Sequence, residues 1–407
     1  MPLALRSVVL LCRALRSFSV GVLAVALPFA LEADGFGTGM LNIILAGGLG
    51  GASLQMNLIA PFVEGCGFRM LLSGFTSVMS VATLALACSR NRTVMVLAGF
   101  LGAVSLQPNI SSQTPLEQTV IKQSCSSQEE SSKYFTRYNQ ISVMSLALGS
   151  FVAGLQVSGG PREQIGFVAA ILLAASFAYA VGSQPNSVLK AKASEGLLEM
   201  KQLPISQCRH RRRIFALAGL FSLDAFAGGL VMNSIVIHWL SVTFQASERE
   251  LGPIFTLLGL ITVPSLSVAH WLTRKFGDIN TMVWTHIPSN ICLIFMTMSP
   301  NLHWVFIFLV TRSALGSMDV AARDSFMMKV VDPCEQVACS SLIATARALG
   351  AVAGPLVCTL VWDWVSPGAP LVLAGCLKCA YDLMLLVAFG SVKGPEVDTT
   401  SAETGRA

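Results

Sequence analysis

Long apolar stretches without any charged residue constrain the fold of this chain more than any other feature of its sequence. Residues 36–63 and residues 138–161 contain no Asp, Glu, Lys or Arg. Each stretch exceeds the roughly 20 residues that a helix needs to cross a bilayer. Only 12% of the 407 residues are charged and 53% are hydrophobic, whereas a soluble domain carries about 25% charged residues. The sequence therefore predicts an all-α membrane protein and excludes a soluble globule.

Apolar windows separated by turn residues and charges predict twelve transmembrane helices. Six of them precede the longest polar stretch, residues 182–213, and six follow it. The predicted organisation is an N-terminal six-helix bundle at 1–184, a cytoplasmic linker at 185–213, a C-terminal six-helix bundle at 214–391 and a disordered cytoplasmic tail at 392–407. The predicted spans are residues 8–31, 37–61, 70–88, 93–113, 138–158, 164–183, 214–240, 251–272, 280–299, 303–322, 338–361 and 370–391.

The two halves repeat one another in three sets of matching segments. The first set follows the second span of each half, the second set follows the fourth span, and the third set lies within the fifth span. The separations along the chain are 210, 206 and 201 residues. Three matches at nearly one period indicate a duplicated unit, so the two bundles are predicted to be pseudo-symmetric. The matching residues are Gly67 with Gly277, Glu117 with Arg323, Glu129 with Glu335, and Gly149 with Gly350.

The distribution of basic residues predicts how the chain is oriented. If both termini are cytoplasmic, the cytoplasmic loops and ends hold twenty of the 27 Lys and Arg residues, including Arg6, Arg13 and Arg16, and the opposite side holds four. Such an asymmetry indicates a multi-pass protein with both termini in the cytoplasm. The basic cluster at 209–213 directly precedes an apolar span, so we assign it to this asymmetry and predict no nucleic-acid partner.

Several loop and helix motifs resemble those of the major facilitator superfamily. After the second span, Ala60, Glu64, Gly67 and Arg69 match a degenerate form of the family's loop signature. The antiporter signature of the fifth span lacks its proline in residues 148–155, and a related stretch occurs instead at 350–355, which leaves the direction of transport open. The segments that resemble a bacterial-type, drug-efflux-like subgroup are residues 115–118, 137–139, 312–323, 331–335, 347–350, and 378 with 381–382.

This resemblance implies a monomeric secondary active transporter that moves a small solute by alternating access, coupled to protons, with efflux as one possible direction. The sequence has no phosphate-binding loop of the G-x-x-x-x-G-K-[ST] kind, which is consistent with transport driven by gradients. Its five histidines have no His or Cys neighbour at metal-ligand spacing, so we expect no metal, no cofactor and no enzymatic activity. The alternative function is a transport-inactive membrane sensor or receptor that shares the fold.

Ionisable residues inside apolar spans are the first candidates for substrate and coupling sites. Asp224 follows Arg213 by about ten residues, which at 1.5 Å per residue places it roughly 15 Å deep. It is expected either to couple transport to protons or to form a buried ion pair with a neighbouring helix. Arg312 is expected to bind an anionic substrate or to neutralise Asp224.

The remaining candidates have two interpretations each. Lys378 and Asp382 stand at i and i+4, where they can pair with each other or serve in coupling, and Arg347 is equally open. Polar groups such as Gln107 and Asn109 can line a cavity or join helices. The substrate and coupling candidates are Asp224, Arg312, Gln107, Asn109, Arg347, Lys378 and Asp382.

A second group of charged residues lies at the predicted cytoplasmic ends of the helices. Asp319 and Arg323 continue the face of Arg312 toward the cytoplasm, where a charge network would brace the helix ends when the transporter faces outward. The predicted cytoplasmic gate consists of Glu64, Arg69, Glu117, Arg137, Asp319, Arg323 and Glu335.

Overall fold

The computed structural model describes residues 2–104, 106, 111–125, 128–156, 159–182, 208–319, 322–323, 326–327, 330–331 and 335–390. Every regular element in these residues is a helix. Residues 185–207 of the predicted linker and the whole predicted tail lie outside the described ranges. The helices are α1 (Pro2–Ala33), α2 (Thr38–Cys88), α3 (Arg92–Leu101), α4 (Gln113–Ser124), α5 (Gln128–Leu155), α6 (Pro161–Gly182), α7 (Arg211–Gly229), α8 (Asn233–Phe244), α9 (Glu248–Phe276), α10 (Asp278–Thr297), α11 (Leu302–Gly316), α12 (Gln336–Trp364) and α13 (Ala369–Phe389).

Apolar helices of membrane-spanning length make up most of the described residues, which confirms the predicted fold class. Eight segments are long and apolar enough to cross a bilayer, and two shorter apolar helices are α3 and α11. The second and third predicted spans are continuous in α2, and the seventh is divided into α7 and α8. The eight segments are Arg6–Ala33, Thr38–Met56, Cys66–Cys88, Pro161–Gly182, Arg211–Phe244, Glu248–Phe276, Cys339–Trp364 and Ala369–Phe389.

Two glycines with the same backbone conformation mark equivalent turns in the two halves. Gly67 interrupts α2 with φ 76° and ψ 162°. Gly277 separates α9 from α10 with φ 83° and ψ 166°. A positive φ of this size is readily adopted only by glycine, because any other residue would bring its Cβ against the backbone. The match predicted from a separation of 210 residues therefore reflects a repeated turn.

Close helix crossings repeat between the halves as well. A Cβ atom added to Gly149 in α5 would lie 2.1 Å from the backbone oxygen of Phe18 in α1. A Cβ atom added to Gly350 in α12 would lie 2.3 Å from the backbone oxygen of Ser222 in α7. Small residues let membrane helices approach closely in this way. The first half (α1–α6) and the second half (α7–α13) thus share one helix arrangement.

Hydrogen bonds join the two halves at the end of the molecule where α1 ends and α2 begins, which we call the closed end. The backbones of α5 and α9 also meet there, since a Cβ on Gly154 would lie 2.8 Å from the Cα of Gly252. These contacts hold the halves together at this end. The joined atoms are Thr38 Oγ1 and His238 Nε2 at 3.0 Å, Asn42 Nδ2 and Thr359 Oγ1 at 3.0 Å, Ser241 Oγ and Glu32 Oε2 at 3.1 Å, and Gln156 Nε2 and Glu248 Oε2 at 2.9 Å.

Candidate functional site

Asp224 lies at the centre of a buried group of charges in the second half. Its carboxylate is 2.6 Å from Lys378 Nζ, 3.5 Å from Arg323 Nη1 and 3.6 Å from Arg347 Nη1. Arg323 Nη1 also lies 3.1 Å from a carboxylate oxygen of Asp319. We call these five residues the Asp224 cluster. It brings α7, α12 and α13 together with the segment that follows α11.

Two of the pairings suggested by the sequence differ from those in the structure. Asp224 is paired with Lys378, and none of its ion-pair partners among the described residues is Arg312. Lys378, which stands one helical turn from Asp382, turns instead toward α7 because the carboxylate of Asp224 lies within hydrogen-bond distance there. Asp224 thus forms the buried ion pair with a neighbouring helix that was one of its two predicted roles, with Lys378 in place of Arg312 as its partner.

Asp382 has its own partners on α10. Its carboxylate is 2.9 Å from His286 Nδ1 and accepts a hydrogen bond from Asn290 Nδ2 at 3.1 Å. Its side chain is completely buried. His286 and Asn290 were not among the candidates predicted from the sequence, although their spacing of four residues on one helical face was a usable signal. We refer to the first contact as the His286–Asp382 pair.

A cavity of about 340 Å³ lies between α5 of the first half and α8, α9, α10, α11 and α13 of the second. His286, Asn290, Arg312 and Lys378 line it together with hydroxyl-bearing and apolar side chains. The Asp224 cluster and the His286–Asp382 pair thus each contribute one basic residue to the cavity wall. The cavity brings together four side chains that lie on three different helices.

Arg312 is the basic residue of the cavity that stands without a counter-charge. Its Nε atom is buried and has no hydrogen-bond partner. Within the described part of the chain, no carboxylate forms an ion pair with its guanidinium. Its backbone oxygen accepts a hydrogen bond from Ser289 Oγ at 3.2 Å, which ties α11 to α10.

Glu117, predicted as a gate residue, is enclosed within the first half. Its carboxylate lies 2.6 Å from Arg16 Nη2 and accepts hydrogen bonds from the hydroxyls of Tyr138 and Tyr179. The guanidinium of Arg13 stacks over the Tyr138 ring at 4.5 Å. Arg13 and Arg16 are buried in α1. They therefore lie inside the first half and not in a loop, and the cytoplasmic position of this end of α1 stays a prediction.

Glu335 and Glu130 each form contacts at the end of their half that lies opposite the closed end. We call this end the base. Glu335 accepts a hydrogen bond from the backbone amide of Arg209, and its other oxygen lies 3.0 Å from His210 Nδ1. Burial alone would raise the pKa of Glu335, but the hydrogen bonds from His210 and from the backbone amides outweigh it and lower the pKa. In the first half, Arg6 Nη1 lies 2.5 Å from Glu130 Oε1.

The other predicted gate and cavity residues are less informative. Arg69 and Arg137 are exposed, and Arg137 lies over the ring of Tyr134 at 5.7 Å. The side chain of Glu64 and the residues Gln107 and Asn109 lie outside what the structure describes. The partners named here for Glu117, Arg323 and Glu335 belong to the same half as each residue, so the gate role of this group stays a prediction.

Comparison with known proteins identifies the family. The sequence profile of the Major Facilitator Superfamily matches residues 9–355, and no curated protein matches the chain in sequence. The crystal structure of the nucleoside transporter NupG is similar, with a TM-score of 0.73 and 13% identity over 96% of this chain and 99% of that chain. A mutant form of NupG gives a TM-score of 0.70 and 12% identity over 96% and 98%. The structures establish the fold and the profile covers most of the sequence, so the chain is a multi-pass membrane transporter that belongs to the Major Facilitator Superfamily.

Proposed function

We propose that this protein is a secondary active transporter that moves a small solute by alternating access and is driven by protons. The observation that carries the proposal is the 340 Å³ cavity between the halves, which borders two sets of buried ionisable groups. Ionisable side chains inside a membrane protein are costly, and they commonly mark substrate and proton pathways. Binding near the interface of two repeats, with the halves rocking around it, is the expected geometry of alternating access.

The charge asymmetry of the loops supports an orientation with both termini in the cytoplasm. With both termini in the cytoplasm, the closed end faces the outside, and the hydrogen bonds between Asn42 and Thr359 and between Thr38 and His238 seal the external side. Labelling with a membrane-impermeant maleimide tests this. In a background without exposed native cysteines, Ser366→Cys is expected to react from outside and Asn280→Cys is not, since both positions are exposed in loops or at helix ends on opposite sides. The reverse pattern would show that the orientation is wrong.

For the proton, we favour the His286–Asp382 pair over Asp224. Asp224 faces three cations within 3.6 Å, so its negative charge is already compensated. Asp382 is paired with one imidazole and a neutral amide, and histidine commonly serves as a proton shuttle in proteins. His286 also lines the cavity. A proton on this pair is therefore close to the solute, whereas one on Asp224 would first have to displace Lys378.

Proteoliposomes with an internal pH dye test this assignment, with uridine and benzoate as probe solutes. Asp382→Asn and His286→Gln are expected to lose solute-evoked proton movement while keeping solute exchange, because exchange requires alternating access without net proton transfer. Asp363→Asn, at an exposed position in α12, is the matched control. Proton movement that survives in Asp382→Asn but is lost in a stable Asp224→Asn protein would return the coupling role to Asp224.

Proteoliposomes, together with cells that express the protein, separate the remaining alternatives. A transport-inactive sensor predicts solute binding without flux in either direction. The resemblance to drug-efflux-like proteins supports export, and export predicts that an inward-directed proton gradient drives solute out of cells expressing the protein. Accumulation inside the cells under the same gradient would establish uptake instead.

A further inference from the structure

We infer that the central cavity is a binding site for a small organic anion, with Arg312 as the counter-charge for its carboxylate or phosphate group. The inference rests on the proposed transport function, because it names the class of solute that the cavity accepts.

The charges around the cavity favour an anion. Its wall includes three basic residues, Arg312, Lys378 and His286, and no acidic residue among those described. Lys378 is paired with Asp224 and His286 with Asp382. Arg312 is the one of the three that has no ion-pair partner within the described residues. A solute that enters the cavity thus meets a basic side chain, Arg312, that has no ion-pair partner among the described residues, beside Lys378, which shares Asp224 with two arginines.

An arginine in this position requires a partner that the described residues do not supply. A guanidinium stays protonated in proteins, so Arg312 cannot avoid the cost of burial by becoming neutral. Leaving a buried charge unpaired is strongly unfavourable. Its planar set of N–H donors matches the two oxygens of a carboxylate or phosphate, and such bidentate contacts are among the stronger hydrogen bonds in proteins. An anionic solute would satisfy the buried Nε and balance the charge at once.

A helix end at the cavity adds a second, independent feature of the same sign. The seventh span is interrupted between Gly229, where α7 ends, and Asn233, where α8 begins. Asn233 lines the cavity, and the first turn of α8 contains no acidic residue. The N-terminus of a helix carries a partial positive charge, and interrupted helices in transporters direct such ends at anionic groups of their substrates.

The rest of the wall limits the size and character of the solute. The volume of about 340 Å³ lies near the lower limit of the roughly 300–1,000 Å³ range of ligand sites. Leu146 of the first half and Phe255, Leu258 and Leu309 of the second half form apolar parts of the wall. The site therefore suits a compact molecule with one anionic group and an apolar body.

Thermal unfolding of the full-length purified protein in detergent tests the inference with matched probes. Benzoate and phenyl phosphate represent the two anionic groups, and benzamide and benzyl alcohol are their neutral counterparts. At least one anion is expected to raise the unfolding midpoint while the neutral compounds do not. Arg312→Gln should weaken the apparent affinity for that anion about 10- to 100-fold, as expected for a hydrogen bond to a charged group. Arg312→Lys should keep part of it, and Arg274→Gln, which alters an exposed arginine of α9, should leave it unchanged.

A second variant guards against misfolding of Arg312→Gln. Asn233→Asp places a negative charge at the start of α8 and is expected to weaken anion binding without improving the response to benzamide. Equal stabilisation by benzoate and benzamide, no response to either anion, or an unchanged anion response in Arg312→Gln would overturn the inference. Anion binding without flux in proteoliposomes would refute the transport function while the site remains. Proton-driven flux of uridine without Arg312-dependent anion binding would do the opposite.

Discussion

The two halves of the molecule share one helix arrangement but bury their charges in different ways. In the first half, Glu117 is enclosed by Arg16, Tyr138 and Tyr179, which come from α1, α5 and α6. In the second half, Asp224 is surrounded by three cations, and one of them, Lys378, also lines the central cavity. A charge network that ends inside its own half braces helices. A network that reaches the cavity can respond to what the cavity contains.

The difference lies in the side chains and not in the backbone. The turns at Gly67 and Gly277 have nearly the same dihedral angles, and the crossings at Gly149 and Gly350 are similarly close. The two halves therefore have equivalent backbone arrangements. The side chains that we propose for transport belong mainly to the second half. The first half contributes α5, with Leu146, to the wall of the cavity.

The largest effect is expected from removing the central carboxylate of either network. Asp224→Asn leaves Lys378, Arg323 and Arg347 without their shared anion, and breaking a buried ion pair in this way costs about 3–5 kcal/mol. We expect a large fall in the thermal unfolding midpoint in detergent. Glu117→Gln, which strands Arg16 in the first half, should cause a fall of similar size.

The two variants should differ in how they affect the cavity. A double variant, Asp224→Asn with Lys378→Met, removes one stranded cation and should recover part of the stability. The response to benzoate should change in this double variant and be unchanged in a Glu117→Gln protein that remains folded. If Glu117→Gln alters the benzoate response as strongly, the two networks are not functionally distinct.

Glycine substitutions test whether the helix crossings in the two halves are equivalent. Gly149→Ala and Gly350→Ala each place a Cβ within 2.3 Å of a backbone oxygen, and overpacking of this kind typically costs about 1–3 kcal/mol. Similar losses of stability are expected for both. Gly219→Ala in α7 has no neighbouring atom within 4 Å of the added Cβ and serves as the control. A loss of stability in only one of the two variants would show that the two crossings are not equivalent.

The contacts of the closed end should control which side of the cavity opens. Replacing one partner of each bond with Thr38→Val and Asn42→Ala removes two hydrogen bonds between the halves, each worth about 1 kcal/mol. The equilibrium should shift toward opening at this end. Cys358, which is fully buried beside Thr359, reports the shift, because its reactivity with an impermeant maleimide should rise. Unchanged reactivity would mean that these two hydrogen bonds do not keep the closed end shut.

The sequence predicted the elements and the repeat because both follow from local rules. Apolar length determines whether a segment can span a bilayer, and a glycine with positive φ can be recognised when it recurs at the same place in a repeat. Partners across helices leave no such trace. Asp224 and Lys378 are 154 residues apart, and Arg16 and Glu117 are 101 residues apart.

Local spacing was misleading for Lys378. It lies one helical turn from Asp382, so the sequence offered that pair, whereas the packing of α13 against α7 supplied Asp224. Arginines that precede an apolar run normally indicate a cytoplasmic end. The same pattern does not reveal that Arg13 and Arg16, three residues apart on one face of α1, are buried, because their partners Glu117 and Tyr138 come from other helices.

The smallest effect is expected at the base of the halves, where the carboxylates Glu335 and Glu130 differ in burial. The Glu335 side chain is 3% exposed and the Glu130 side chain is 35% exposed. Glu335→Gln should lower stability at pH 7 by about 1 kcal/mol. Glu130→Gln should cost less, because partly exposed ion pairs contribute about 0–1 kcal/mol.

The pH dependence separates these two contacts. The folded state lowers the pKa of Glu335 below its usual value of 4.5, so its contribution to stability is complete above pH 4.5 and is lost as the pH falls through the lowered pKa. The difference in unfolding midpoint between the unmodified protein and Glu335→Gln should therefore be constant from pH 8 to about pH 5 and shrink under more acidic conditions. A difference that already disappears between pH 7 and pH 6 would show that the charge of the Glu335 carboxylate does not govern this contact.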